Sequence, residues 1–202
     1  MSGLILPYRG LMPKIAPDAF IAETAVVIGD VEIGSGSSVW YGCVLRGDLN
    51  KIRVGRDTNI QDGTVVHINH DPDGDYRETG GGMPTHIGAN VTIGHSALIH
   101  ACTLEDGSFI GMRAVVMDLA VIERDAMVAA GALVAPGKRV ASGDLWVDMK
   151  ARGVDILADT VRGIEEISHA ADNALELAHA PAPMATPVDA SEPGRVRLSG
   201  ND

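Results

Sequence analysis

Residues 104–140 read LEDGSFIGMRAVVMDLAVIERDAMVAAGALVAPGKRV, and an aliphatic side chain returns at every sixth position of this stretch. The residues in that phase are Leu104, Ile110, Val116, Ile122, Val128, Val134 and Val140. A period of six matches neither the period of an α-helix nor the simple alternation of an ordinary β-strand. It predicts short flat segments that each bury one aliphatic side chain. Because no such segment buries its apolar residue alone, successive coils must stack into a solenoid.

The same six-residue phase extends through most of the chain, and we refer to the residues in this phase as the hexad residues. Before residue 104 they are Ile15, Ile21, Val27, Ile33, Val39, Leu45, Val54, Ile60, Val66, Ile87, Ile93 and Ile99. The phase is interrupted by RGDLNKIR at 46–53 and by a loop from Ile68 to Thr85, and a step of five leads from Ile99 to Leu104. All nineteen hexad residues are aliphatic, so the sequence predicts an all-β solenoid of hexapeptide repeats.

The composition narrows the classes of partner. The chain has 202 residues, enough for one domain with a sizeable core. Its formal net charge of −11 argues against nucleic acid and against anionic membrane surfaces as partners. No apolar run reaches the ~18 residues of a membrane span. The two cysteines, Cys43 and Cys102, form no disulfide framework, so we expect a reducing, cytoplasmic location.

The hexad phase ends near Trp146, and we assign residues 1–152 to one hexapeptide-repeat domain. From Val154 onward, apolar residues recur at helical spacing with charges between them, which predicts a C-terminal amphipathic α-helix over 153–180. Residues 181–202 are rich in Pro, Ala and Ser, and we expect them to form a mobile tail.

Two histidines occupy matched positions on successive coils. His67 directly follows the hexad residue Val66, and His100 directly follows Ile99. If these hexads stack, both imidazoles point outward from one face about 4.8 Å apart, which is compatible with binding one metal ion. The plainer alternative is that both histidines only decorate the exterior of the solenoid.

His95 belongs to a different hexad, because it lies two residues after Ile93, and it should point from another side of the solenoid. One chain therefore does not obviously supply three ligands to one metal. A symmetric trimer would do so if the edge that carries His95 packed against the face of the next subunit that carries His67 and His100. Cyclic symmetry closes a heterologous contact of this kind.

Three stretches of the chain resemble the γ-class carbonic anhydrase family. They read LRGDLNKIRVGRDTNIQDGTVVH at 45–67, IGHSALIHACTL at 93–104 and IGMRAVVMDLAVI at 110–122, and the resemblance covers about residues 10–152. It implies a left-handed parallel β-helix and a homotrimer. It also implies a catalytic metal, usually zinc or iron, held by three histidines at each subunit interface. The ligands carried over are His67, His95 and His100, two from one subunit and one from the next.

The resemblance also implies roles for neighbouring polar residues. Gln61 matches the family position that hydrogen-bonds metal-bound solvent or substrate. Arg46 and Asp48 match an interface pair that braces the site and helps hold the trimer, although a plain salt bridge at the interface explains them as well. Polar residues expected to help orient the reactants also flank Ile60; they are Asn59 and Asp62. His70, at the mouth of the long loop, is a candidate proton relay, although a solvated loop histidine explains it as well. Tyr76 is a weaker candidate for contacting the site.

These residues together favour one function over two others. Three neutral imidazoles leave zinc an open position, the pattern of a catalytic site, and iron and cobalt suit imidazole as well. We therefore expect reversible hydration of carbon dioxide to bicarbonate. One alternative is a trimeric scaffold or assembly protein that retains the metal site. The other is a thioester-hydrolysing or acyl-handling hexapeptide-repeat enzyme, suggested only by EPGRVRL at 192–198.

Overall fold

The computed structural model of the chain describes residues 3–147, which form a parallel β-solenoid with one short helix. The elements are β1 (Leu4–Leu6), β2 (Lys14–Ile15), β3 (Phe20–Ile21), β4 (Val26–Ile33), β5 (Ser38–Val39), β6 (Val44–Val54), β7 (Asn59–Ile60), β8 (Val65–His67), α1 (Tyr76–Thr79), β9 (Thr85–Ile87), β10 (Thr92–Ile93), β11 (Leu98–His100), β12 (Thr103–Leu104), β13 (Phe109–Ile110), β14 (Val115–Val116), β15 (Val121–Ile122), β16 (Met127–Val128), β17 (Leu133–Val134), β18 (Arg139–Val140) and β19 (Leu145–Trp146). The all-β solenoid predicted from the hexad residues is confirmed. The predicted helix over 153–180 and tail over 181–202 lie outside the described residues. Within 3–147, no helix is long and apolar enough to cross a bilayer.

The strands form three faces, which successive coils visit in the same order. The first face contains β1, β8, β11, β14, β17 and the first parts of β4 and β6. The second contains β2, β9, β12, β15, β18 and the second parts of β4 and β6. The third is a separate seven-stranded sheet of β3, β5, β7, β10, β13, β16 and β19. Strands within each face pair in parallel, and the left-handed winding remains what the family resemblance implies.

The hexad residues form the core of the solenoid. All of the nineteen are buried except Ile15, which packs half-buried against the end of the column. Small alanines at the turns, such as Ala97 and Ala114, are also buried and belong to the same core. Each fully buried aliphatic side chain contributes about 1.5–3 kcal/mol relative to an exposed one. The column of aliphatic residues is therefore the main source of stability in the described residues.

The interruption of the hexad phase at 46–53 is a bulge in one continuous strand. Gly29 pairs with Gly47, but two residues later Val31 pairs with Ile52, so β6 carries three more residues than β4 between these pairs. Gly29 has a φ of 82°, and a Cβ there would collide with the carbonyl oxygen of Gly47. The extra residues project Asp48 away from its own coil and towards the coil that follows.

The long loop between β8 and β9 folds back on this bulge. Asn69 and Met83 form an antiparallel bridge that closes the neck of the loop. The amide of Asn50, in the bulge, donates to the carbonyl oxygen of Gly81 at 3.2 Å. The hydroxyl of Tyr76 on α1 donates to Asp30 at 2.6 Å. The loop is thus closed by a bridge at its neck and is hydrogen-bonded to the solenoid through α1 and through Gly81.

The short step from Ile99 to Leu104 also has a local cause. Ala101 turns the chain immediately after β11 with a φ of 47°, in the left-handed region that non-glycine residues rarely adopt. Its N–H donates to the carbonyl oxygen of His67 at 3.1 Å, and its own carbonyl accepts from Leu119 at 2.8 Å. The early turn makes this corner one residue shorter and keeps His100 at the very end of its strand.

Candidate metal centre

Two corners of the solenoid carry most of the predicted site residues. At the leading corner the chain turns from the third face into the first, and this corner carries Gln61, Asp62 and His95. At the trailing corner the chain leaves the first face for the second, and this corner carries Arg46, Asp48, His67 and His100. The predicted site is therefore divided between two edges of one face.

His67 and His100 meet at the trailing corner as the hexad phase predicts. They are direct register partners in the pairing of β8 with β11. Their ring centroids lie 5.2 Å apart, and His67 Nδ1 lies 3.2 Å from His100 Nε2. Both side chains are half-buried, and the buried stacking of Ile99 on Val66 fixes the backbone beneath them.

A carboxylate holds the other nitrogen of each imidazole. His67 Nε2 lies 2.9 Å from Asp48 Oδ1, and His100 Nδ1 is hydrogen-bonded to Asp118 Oδ1. An ionised carboxylate can only accept, so each of these ring nitrogens carries the proton. In the neutral imidazoles, the remaining nitrogens, Nδ1 of His67 and Nε2 of His100, then present lone pairs to each other.

The facing nitrogens fit a metal ion. Two lone pairs directed at each other repel unless a cation lies between them. In a tetrahedral site with Zn–N bonds of about 2.0–2.1 Å, two ligand nitrogens are about 3.3 Å apart, close to the 3.2 Å separation here. Imidazoles whose second nitrogen donates to a carboxylate are typical metal ligands. The orientation of His67 and His100 thus fits two ligands of one metal ion.

The electrostatics favour ionised carboxylates and a neutral His67 at this corner. Burial by itself raises the pKa of Asp48, but hydrogen bonds from His67 and Arg46 outweigh it and hold that pKa below its usual value. Burial likewise raises the pKa of Asp118, and hydrogen bonds from His100 and Asn69 outweigh it. Burial lowers the pKa of His67, against the opposing bond to Asp48. Ionised carboxylates therefore face a neutral His67 imidazole at neutral pH.

Arg46 and Asp48 lie at the start of the bulge in β6, Arg46 in regular register with Ile28 and Asp48 among the extra residues. They form an ion pair with each other, and Asp48 is only 12% exposed whereas Arg46 is 46% exposed. One Asp48 oxygen accepts from His67 and the other from Arg46. Asp48 therefore orients the His67 imidazole, and Arg46 pairs with Asp48 from the solvent side.

His95 lies at the leading corner with its own carboxylate. His95 Nδ1 is 3.0 Å from Asp62 Oδ2, which leaves Nε2 directed elsewhere, and the His95 side chain is 51% exposed. Gln61 precedes Asp62 at the same corner, where its N–H donates to the carbonyl oxygen of Ile93 at 2.9 Å. Within residues 3–147 of one chain, no three His, Cys, Asp or Glu side chains come together as a metal site.

The other predicted site residues lie at three separate places. Asn59 is on β7 of the third face, where its Oδ1 accepts from Ser38 at 3.1 Å. His70 is exposed on the loop, and its Nδ1 lies 3.0 Å from Asn69 Oδ1. The Tyr76 hydroxyl, the weaker candidate, is bound to Asp30 rather than to the histidine pair.

Two residues of the site were missed from the sequence. Asp118 holds His100, and Asn69 donates to the other oxygen of Asp118 at 2.9 Å. A signal for Asp118 was present, because Val116 stacks on Ile99 and so places the residues after Val116 beside those after Ile99. Asn69 had no comparable signal, since it belongs to the loop.

Comparisons with known proteins identify chains and a fold similar to this one. The chain is 49% identical to gamma carbonic anhydrase 2, mitochondrial, of Arabidopsis thaliana over 166 residues, which cover 82% of the chain and 57% of that relative. It is 37% identical to protein YrdA of Escherichia coli over 163 residues, 79% of the chain and 84% of that protein. A solved hexapeptide transferase family protein from Anaplasma phagocytophilum matches with a TM-score of 0.64 and 50% identity, over 72% of this chain and 80% of that one. No family model matches the chain.

The fold defines a hexapeptide-repeat protein, and the geometry of its facing His67 and His100 imidazoles fits a metal ion. On the relatives above, the chain belongs to the γ-class carbonic anhydrase family. It spans little more than half the length, 57%, of the Arabidopsis relative.

Proposed function

We propose that this protein is a metal-dependent carbonic anhydrase that interconverts carbon dioxide and bicarbonate as a homotrimer. The observation that carries the proposal is the facing pair of His67 Nδ1 and His100 Nε2 at 3.2 Å, each imidazole held by a carboxylate. Zinc is the proposed metal, with iron or cobalt compatible with the same ligands. The metal, when bound by three neutral imidazoles with an open position, supplies hydroxide at neutral pH.

The third ligand in this proposal is His95 of a neighbouring subunit. His95 lies at the leading corner with its Nδ1 bonded to Asp62. Its Nε2 is therefore available to bind a metal at an interface. At 51% exposure, the His95 side chain is free to enter an interface. Gln61 lies at the same corner and would enter the interface together with His95. Its amide would then lie close enough to hydrogen-bond the substrate oxygens.

The outward surface of the first face supports contact with a second copy of the chain. One row of its outward residues is aliphatic throughout and follows in register from coil to coil: Leu4, Val26, Val44, Val65, Leu98, Val115 and Leu133. Those of the second face are mostly polar or charged: Lys14, Glu32, Arg53, His86, Thr103, Val121 and Arg139. Contiguous exposed apolar surface marks an interaction site. The aliphatic ladder runs between the two histidine corners, so packing along it would join the corner of one copy to that of the next.

The residues of the trailing corner have separable roles in this proposal. Asp48 and Asp118 hold the protons on the outer nitrogens of His67 and His100 and so keep their lone pairs aimed at one point. His67 and Arg46 together lower the pKa of Asp48 and so keep it ionised. We also propose a cytoplasmic location, which the free thiols of Cys43 and Cys102 support.

Metal analysis and a carbon dioxide hydration assay on anaerobically purified protein test the proposal. We expect about one metal per chain, a trimeric mass in solution, and hydration well above the buffer rate. His86→Ala, at an exposed histidine of the second face, is the matched control and should keep both metal and activity. A metal-loaded trimer without hydration would overturn the enzymatic proposal in favour of a scaffold protein.

A further inference from the structure

The amide of Asn69 links the long loop to the metal centre. Asn69 is the second residue after β8, and its backbone forms the bridge with Met83 at the neck of the loop. Its side-chain Nδ2 lies 2.9 Å from Asp118 Oδ2, while Asp118 Oδ1 accepts from His100. Asn69 is thus connected through two hydrogen bonds, by way of Asp118, to the imidazole of His100.

The orientation of this amide is fixed by its other contacts. Asn69 Oδ1 lies 2.8 Å from the backbone nitrogen of His70, and a backbone N–H can only donate. The atom facing His70 must therefore be the amide oxygen, and the atom facing Asp118 must be the NH2 group. With this orientation, Asn69 donates to Asp118, and Asp118 accepts from both partners without conflict.

Asp118 would be poorly defined without Asn69. It lies two residues after β14, in the turn where Leu119 has a φ of 60°, and it is only partly buried, at 23% exposure. A carboxylate at such a position can rotate about its side-chain torsions. Donation from Asn69 to one oxygen leaves the other directed at His100 Nδ1, and this direction sets the plane of the imidazole.

We propose that Asn69 is a positioning residue for the metal, which makes the closed neck of the loop a determinant of metal affinity. The inference rests on the proposed metal centre and concerns how that centre is held. Asn69 acts through Asp118 onto His100. At His67 the carboxylate is Asp48, and its second oxygen accepts from Arg46 of the bulged strand rather than from the loop. The expected size of the effect is that of removing an outer partner of a metal ligand, about 10- to 100-fold in metal affinity.

The test measures zinc affinity by chelator competition, and the visible absorption of bound Co²⁺, for the full chain and its variants. Asn69→Ala should weaken zinc binding about 10- to 100-fold and alter the Co²⁺ spectrum, with the melting temperature of the metal-free protein little changed. Asn69→Asp keeps the acceptor for His70 but places a carboxylate against Asp118, so it should weaken binding at least as much. It also serves as a second variant if Asn69→Ala folds poorly.

Two comparisons separate positioning from a general loosening of the loop. Tyr76→Phe is the matched control, because it removes the hydroxyl that anchors α1 to Asp30 and leaves Asn69 and Asp118 intact. It should bind zinc as tightly as the wild type. In an Asp118→Ala background, Asn69→Ala should have little further effect, since its partner is already gone.

Each contrary result has a distinct meaning. Unchanged zinc affinity in Asn69→Ala, an equal loss in Tyr76→Phe, or full additivity with Asp118→Ala overturns the positioning role and leaves the proposed function standing. A wild-type chain that binds neither zinc nor Co²⁺ overturns the proposed function and this inference together.

Discussion

His100 is the direct register partner of His67, and their facing nitrogens lie 3.2 Å apart across one step of the solenoid. The backbone of both residues is set by the hexad residues immediately before them, which are fully buried. The stacking of the coils, rather than a metal, therefore brings the two imidazoles together. The consequences for ligand loss, for assembly and for proton transfer can each be measured.

Loss of a ligand should remove the metal and leave the fold. His100→Ala deletes one of the two facing imidazoles, while the buried column that stacks the coils is untouched. We expect metal content to fall to near zero, with a β-rich circular dichroism spectrum and a cooperative melt retained. His86→Ala, on the second face, controls for loss of a histidine as such. An unfolded His100→Ala chain would mean that the metal is structural.

The division of the site between two corners predicts complementation between inactive chains. His67→Ala and His95→Ala chains should each lack metal alone. After joint unfolding and refolding in equal amounts, a site is whole only where a His95→Ala subunit offers His67 and His100 to the His95 of a His67→Ala subunit. Random mixing gives this arrangement at about a quarter of all interfaces. Metal content and activity near one quarter of wild type are expected; efficient refolding with neither regained would exclude the shared site.

His70 is placed to exchange protons with solvent. It is exposed on the loop and its Nδ1 is engaged by Asn69 Oδ1, which leaves Nε2 open to water. If it relays protons, His70→Ala should slow carbon dioxide hydration severalfold in weak buffer, and small imidazole buffers should restore the rate. Stopped-flow rates that do not depend on this substitution at any buffer concentration would identify His70 as a solvated loop residue.

Neither cysteine should react in the native protein. Cys43 and Cys102 are 0% and 2% exposed, and burial raises the pKa of both thiols, that of Cys102 to about 12. A raised thiol pKa means less thiolate, the reactive form, so alkylation at pH 8 should be slow in the folded chain. The unfolded chain, with thiol pKa values near the ordinary ~8.5, should react rapidly at both cysteines and faster still as the pH rises. Rapid labelling of the native protein, measured by intact mass, would contradict this burial.

The fold was predictable because one pattern fixes both the burial and the register. Once the hexad residues are aligned, residues that stack on each other across the long loop are all separated by the same number of positions in the sequence. His67 and His100 are therefore 33 residues apart, and so are Asp62 and His95, which also meet as an ion pair. Period and register leave the winding sense open, because the sequence pattern is the same for either hand.

The parts of the site that were not predictable depend on local backbone geometry. The pairing of Asp48 with His67 requires a bulge whose size follows from how β6 rejoins β4, and no periodicity describes it. The donation from Asn69 to Asp118 requires the neck of the loop to close onto Met83. Carboxylates also follow three other hexad residues at the same distance, at Glu23, Asp62 and Asp106, so Asp118 stood out only once its corner was known.

The wide separation of His95 from the pair formed by His67 and His100 has a consequence for the cell. In the proposed trimer every metal ion also joins two subunits, so metal binding and subunit association are thermodynamically coupled. By mass action, zinc tightens the association of subunits, and dilution of the protein releases zinc. In such a trimer, the fraction of chains with a complete metal site rises with the protein concentration. The expression level would then set both the number of chains and the fraction of them that carry a complete site.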